Sequence, residues 1–137
     1  MFDAFMASWN ALSNTSVQTG GDYAPLMSAS DAMLTDGVSF LAEYPLFDKP
    51  LVWLDSGRHA KLNAMGERAV EANYKVQTVA QAIAIFDRLR NQGDDPMKQR
   101  REAVWQYLMP YPGEAASRVL QCVRERLLEE ANPSSDP

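Results

Sequence analysis

Residues 46–54 read Leu46-Phe47-Asp48-Lys49-Pro50-Leu51-Val52-Trp53-Leu54, and what this stretch becomes decides the fold. Leu51–Leu54 is a run of four apolar residues. A run that short suits a turn of buried helix or a short buried strand, and periodicity alone does not separate them. Asp48 and Pro50 resemble a helix cap followed by a first-turn proline, since proline's missing N–H falls where helical N–H groups lack partners anyway. On that ground the segment is assigned to helix, with a short strand near 50–54 as the alternative. Gly57 breaks or kinks it.

Toward the N-terminus, Phe2, Phe5, Met6, Trp9 and Leu12 recur at helical spacing, which predicts an amphipathic helix over 2–12. Residues 13–29 hold polar turn formers, Gly20-Gly21 and Pro25, and predict a long loop. Loops above ~12–15 residues are uncommon in compact domains and often carry function. Ser30 would cap a second helix, with Asp31 at its positive end and Leu34, Val38 and Leu41 on its apolar face.

Toward the C-terminus, Leu62, Met65, Ala69 and Val70 predict a helix from about Arg58 to Asn73. Thr78–Gln81 has the form of a capping box, and Val79, Ala82, Ile83, Phe86 and Leu89 give the helix it opens an apolar side. Gly93 closes that helix. Asp95-Pro96 starts the next, which uses Val104, Tyr107 and Leu108 and stops at Pro110-Tyr111-Pro112. Ala116, Val119, Leu120, Val123 and Leu127 mark a last helix. Residues 1–132 are thus read as one all-α domain, a small irregular bundle of five to seven helices, and 133–137 as a disordered tail.

Charge is distributed unevenly. Residues 1–55 hold one Lys and seven acids; residues 56–137 hold 12 Lys/Arg and 11 acids, so the net of −5 arises in the first 55. No Lys, Arg or His precedes Lys49. A field of this kind steers partners and tunes association rates. The single cysteine, Cys122, forbids an intramolecular disulfide and fits a cytoplasmic, reducing compartment. No apolar run reaches the ~18 residues that would cross a bilayer, and the N-terminus has no basic region of a secretory signal. The 2–12 helix lacks the cationic face that draws helices to anionic lipid, so docking on protein is expected in place of a membrane.

Metal ligation is disfavoured by one His, one Cys and no C-x-x-C or H-E-x-x-H. No cofactor is expected: G-x-S-x-G, G-x-G-x-x-G and G-x-x-x-x-G-K are all absent. His59 is the one side chain whose ordinary titration falls near neutrality, and Asp55 lies four residues before it. On one continuous helix the carboxylate would orient the imidazole as a general base requires. No nucleophile accompanies the pair. Cys122 lies among apolar neighbours, where a thiol behaves as a small inert hydrophobe, and Ser56 is too close for a relaxed dyad. Asp55/His59 is therefore expected to be a helix ion pair, or His59 a partly buried packing residue, and the protein no enzyme. Lys98, Arg100 and Arg101 form a basic cluster, but the pI near 4.8 and the adjoining Asp94, Asp95 and Glu102 argue against direct nucleic-acid binding.

The aromatics are the stronger signal. Trp9, Tyr23, Tyr44, Phe47 and Trp53 fall in the acidic half with Asp31, Asp36 and Glu43, and Trp105, Tyr107 and Tyr111 cluster around two prolines. Tyr and Trp are enriched at partner-binding surfaces, although each taken singly is as readily core. The expected function is protein–protein contact by an accessory subunit, adaptor or inhibitor of the kind a plasmid or phage carries. The partner would have a basic surface, or be another copy. The alternatives are a bacterial secretion chaperone or secreted substrate, an acidic mimic of nucleic acid, and an enzyme using Asp55/His59.

Overall fold

The computed structural model describes residues 2–131. Its centre is a sheet, so the all-α expectation is corrected to a mixed α/β fold. Three short parallel strands lie in the order β1 (Met33–Thr35), β2 (Leu51–Leu54) and β3 (Tyr74–Val76). Seven α-helices accompany them among the described residues: α1 (Phe2–Asn10), α2 (Ala24–Ala29), α3 (Phe40–Glu43), α4 (Ala64–Val70), α5 (Val79–Gln92), α6 (Lys98–Leu108) and α7 (Ala115–Ala131). A 3-10 turn, Tyr44–Phe47, extends α3.

The Leu51–Leu54 run is the middle strand. Leu51, Val52 and Trp53 are all buried. A helix hides one stripe, whereas the central strand of a parallel sheet hides both faces, so its sequence reads as continuously apolar. Leu51 and Trp53 pack with Met27, Leu41, Tyr44 and Ala69 beneath α2, α3 and α4. Val52 turns the other way and joins Tyr74, Val76 and Ala82, with Ile85, Phe86 and Leu89 of α5 packed against them. The result is a helix–sheet–helix sandwich in which β1-α3-β2 and β2-α4-β3 are consecutive crossover units.

The signals read as a helix start at 48–50 serve otherwise. Asp48 has φ +54° and ends the 3-10 turn, its N–H donated to the Pro45 carbonyl at 3.0 Å. Pro50 precedes β2, where no ladder N–H is required of it, and its carbonyl accepts from Met33 N–H at 3.0 Å. Ser30 likewise ends a helix instead of starting one: it follows α2, which occupies the C-terminal part of the expected 13–29 loop. Leu34 belongs to β1, so no helix begins at Ser30. The expected 58–73 helix contracts to α4, capped by Asn63, whose side chain accepts from Gly66 N–H at 2.8 Å. β3 was not anticipated; three residues are too few for alternation to register.

The Thr78–Gln81 capping box is present in full. Gly93 follows α5 at φ +63°, a left-handed position that glycine takes without strain. α1 and α7 form as expected from their spacing, but neither buries a single residue. The expected tail at 133–137 lies outside the described residues.

Candidate functional site

The carboxyl ends of the strands carry a polar cluster. Asp55 follows β2 directly, and its N–H is donated to the Val76 carbonyl at 2.8 Å. Its carboxylate accepts from Gly57 N–H at 2.8 Å and Lys75 Nζ at 2.8 Å, and its Oδ1 lies 3.0 Å from His59 Nε2. No helix joins residues 55 and 59. A turn at Gly57, φ +68°, brings them together instead. Lys75 is placed by register: it pairs with Trp53 across the sheet, and its ammonium sits 5.1 Å from the Trp53 ring. The His59 ring packs on the same indole, 4.9 Å between centroids.

The Lys75 bond, then the Gly57 N–H, hold the Asp55 carboxyl below the usual carboxylate range. His59 Nδ1 lies 2.8 Å from the Ala60 carbonyl. Both ring nitrogens therefore face oxygens that can only accept, and both bonds form together only when the ring carries both protons. Neither nitrogen faces outward as a free base in this arrangement. Ser56 Oγ accepts from Arg58 N–H at 3.4 Å and contacts neither ring nor carboxylate by hydrogen bond. Cys122, expected among apolar neighbours, is an exposed thiol on α7. The cluster clasps the loop after β2 to β3 and supplies no aligned nucleophile.

A second charged group lies at the amino ends. Arg101 of the basic cluster is 2% exposed. Its guanidinium grips the Asp95 carboxylate through Nη1 and Nη2, and its Nε lies 3.5 Å from Asp48 Oδ1. Asp95 also accepts from the Tyr74 hydroxyl and from Met97 N–H at 3.2 Å. Burial would raise the Asp95 pKa, but the Arg101 and Tyr74 bonds outweigh it and leave the group below its usual range. Arg101 is thus a buried tie between α6, β3 and the turn before β2, not a phosphate contact. Among the described residues no three His, Cys, Asp or Glu side chains gather as a metal site, and no helix is long and apolar enough to cross a membrane.

The residues expected to meet a partner do not gather on one surface. Tyr44 is wholly buried, bonded to Ser30 Oγ at 2.8 Å, and has no surface to present. Phe47 is half-buried against the core. Tyr23, exposed, packs edge-on to Phe40 at 5.5 Å and donates to Glu43 Oε2 at 3.4 Å. That pair borders a cleft of about 450 Å³ beside β1, while Asp31 lines a second cleft of about 490 Å³ under α5. Asp36 is exposed just beyond β1. Trp9 lies apart on α1, its ring on Phe5 and its indole N–H donated to the Ser16 carbonyl at 3.2 Å. Trp105 lines a third cleft of about 460 Å³ with Lys98 and Asp48, whereas Tyr107 and Tyr111 are exposed under Arg68 and Arg118.

Sequence reasoning overlooked Leu34 and Phe40 at the β1 cleft and Lys75 at the Asp55 clasp. It expected the 2–12 helix to dock on protein but assigned no such role to the last helix. Phe2 and Phe5 on α1 are exposed, as are Val119, Leu120, Val123, Leu127 and Leu128 on α7, the last five at 49–64%. A helical stripe looks the same in sequence whether its own domain or a partner covers it. No protein-family model, curated protein or solved structure matches this chain.

Proposed function

We propose that this protein acts by protein–protein contact, as an accessory subunit, adaptor or inhibitor, with its terminal helices among the docking elements. One observation carries the reading: α7 runs 17 residues and buries none, yet holds five large apolar side chains in its exposed stripe. Contiguous exposed apolar surface of that kind marks interaction sites, and an amphipathic helix laid in a groove is a recurrent mode of recognition. The exposed aromatic ring of Phe5 beside Trp9 extends the same chemistry to α1. The closed hydrogen bonding around Asp55 and His59 supports a binding role over catalysis. An exposed Cys122 thiol suits a reducing compartment such as the cytoplasm.

The test is affinity capture from native lysate with the wild-type chain and with Val123→Glu/Leu127→Glu. Both positions are exposed, so the folding stability should hold within the range of surface changes, about 0.5 kcal/mol each. Retention of one stoichiometric partner by the wild type, lost in the variant, supports the reading. Equal capture by both, or no partner at all, sinks it.

The topology favours a second reading by analogy of fold. Open parallel α/β sheets bind ligands outside the carboxyl ends of their strands, where this chain places Asp36, Asp55 and Gln77. Melting scans with a panel of nucleotides test it, since a ligand at a hundred times its Kd adds about 2.7 kcal/mol. An unmoved melting curve throughout the panel counts against a nucleotide site there.

A further inference from the structure

We infer that the outer edge of β1 is a docking site for an extended, cationic segment of a partner protein, added to the sheet as a further strand. This deepens the protein–protein reading and rests on it. The register gives the first reason. Met33 and Thr35 face β2, as the 3.0 Å bond from Met33 N–H to the Pro50 carbonyl shows. In a parallel ladder the residue between them, Leu34, directs both its N–H and its C=O to the opposite side. There, among the described residues, no backbone group meets them. An unpaired strand edge is a ready template for another chain, and proteins usually guard it with charge, Pro or a bulge. The opposite edge strand, β3, carries a charged residue, Lys75, half exposed in its middle. β1 presents Leu34, 46% exposed, and no charge along its three residues.

The second reason is the shape on either side. An added strand sends alternate side chains to opposite faces of the sheet. Two clefts receive them, and Ala32 lines both. On one face the cleft is formed by Tyr23, Met33 and Phe40; on the other it lies against Phe86 and Leu89 of α5. Both are largely apolar in lining, which suits β-branched or aliphatic side chains.

Charge selects the occupant. Asp31 lines the α5 cleft, Asp22 adjoins Tyr23 in the chain, Glu43 is bonded to Tyr23, and Asp36 follows β1. Residues 1–48 supply no cation to balance them. Lys49 is occupied, its ammonium donated to the Met27 carbonyl at 3.3 Å and to that of Ser28. Arg90 lines the α5 side, so the cationic residues of the partner belong at the ends of the segment, near Asp36 beyond β1 and Asp31 before it, with apolar residues between. Main-chain bonds then supply affinity, and the acidic rim supplies selection and association rate.

The experiment uses the full chain and a fluorescein-labelled Lys-Val-Ile-Val-Lys peptide, read by fluorescence anisotropy. Leu34→Pro removes only the outward N–H and leaves the β2 ladder intact; Leu34→Lys supplies the missing guard, and Ile83→Lys on exposed α5 surface is the control. The peptide should bind the wild type and the Ile83 variant alike. Its Kd should rise about tenfold or more in either Leu34 variant, about 1.4 kcal/mol. An N-methylated peptide should lose binding to the wild type similarly, which keeps the test valid if Leu34→Pro fails to fold. Raising salt should weaken binding, since exposed charges are screened. The inference is overturned if Glu-Val-Ile-Val-Glu binds equally well, if N-methylation changes nothing, or if the cationic peptide does not bind. It is overturned too if Leu34→Lys abolishes self-association of the wild type, because the edge then belongs to a second copy. Val123→Glu/Leu127→Glu should leave peptide binding unchanged, so failure of the helix reading and failure at the edge are told apart.

Discussion

Replacing Arg101 with methionine should be the most damaging single change outside the apolar core. The side chain is buried to 2% exposure, and Asp95, its partner, to 17%. Methionine roughly fills the volume of the arginine stem, so the loss falls on the charge and its hydrogen bonds. Asp95 would keep the Tyr74 hydroxyl and Met97 N–H but lose the cation that offsets its burial. Breaking a buried pair on one side costs about 3–5 kcal/mol, because the remaining charge is left uncompensated. Total stability is on the order of 5–15 kcal/mol for a domain, so roughly a fifth or more is at stake. With a urea m-value of about 2 kcal/mol per M, the midpoint should fall by about 2 M. The melting temperature should fall by roughly 10–20 °C. Adding Asp95→Asn to the variant removes the stranded charge and should return a large part of the loss, with a coupling of about 2 kcal/mol in the double-mutant cycle. The deficit of the single variant should narrow in acid, where protonation neutralises Asp95. A single variant within about 1 kcal/mol of wild type, or a cycle with no coupling, would refute the assignment of Arg101 as a structural tie.

The titrating groups make three further expectations. Burial, helped by the charges of Asp31 for Tyr44 and by the Asp95 contact for Tyr74, raises both phenols above their ordinary value. Their contribution to stability is therefore present below about pH 10 and lost as pH rises through the higher folded values, so ultraviolet titration should show two late tyrosines whose ionisation accompanies unfolding. Asp55 runs the opposite way: its folded value is lowered, so its contribution is present above about pH 4 and lost as pH falls through that lower value. Lys75→Met should move the Asp55 carboxyl resonance in an NMR titration upward, and an unmoved midpoint would contradict the clasp. His59→Ala should change stability by about 0.5–3 kcal/mol through lost contact with Trp53 and Asp55. Loss of a cellular function by orders of magnitude with an unchanged melting curve would instead make His59 a catalytic residue.

Local signals determined local structure. The Thr78–Gln81 box and Gly93 delimit α5 because their hydrogen bonds close within a few residues, and α1, α6 and α7 follow from 3.6-residue spacing. Asp55 and His59 do meet, but through a turn at Gly57 and not on the helix that their spacing implied. What lay outside the reach of sequence was anything decided by a distant partner. Leu51–Leu54 is a strand because β1 and β3, 18 residues before it in register and 22 after it, complete its ladder on both sides. Asp48 and Pro50 carry a helix-start signature, yet Asp48 closes a turn because the chain must reverse there to enter the sheet. Arg101 belongs to a surface-looking basic cluster, and only the approach of Asp95 and Tyr74 makes its burial tolerable. The sequence alone marks α7 as amphipathic; only the tertiary structure determines that its apolar stripe faces outward, because the sheet and α2 to α6 already close the core without it.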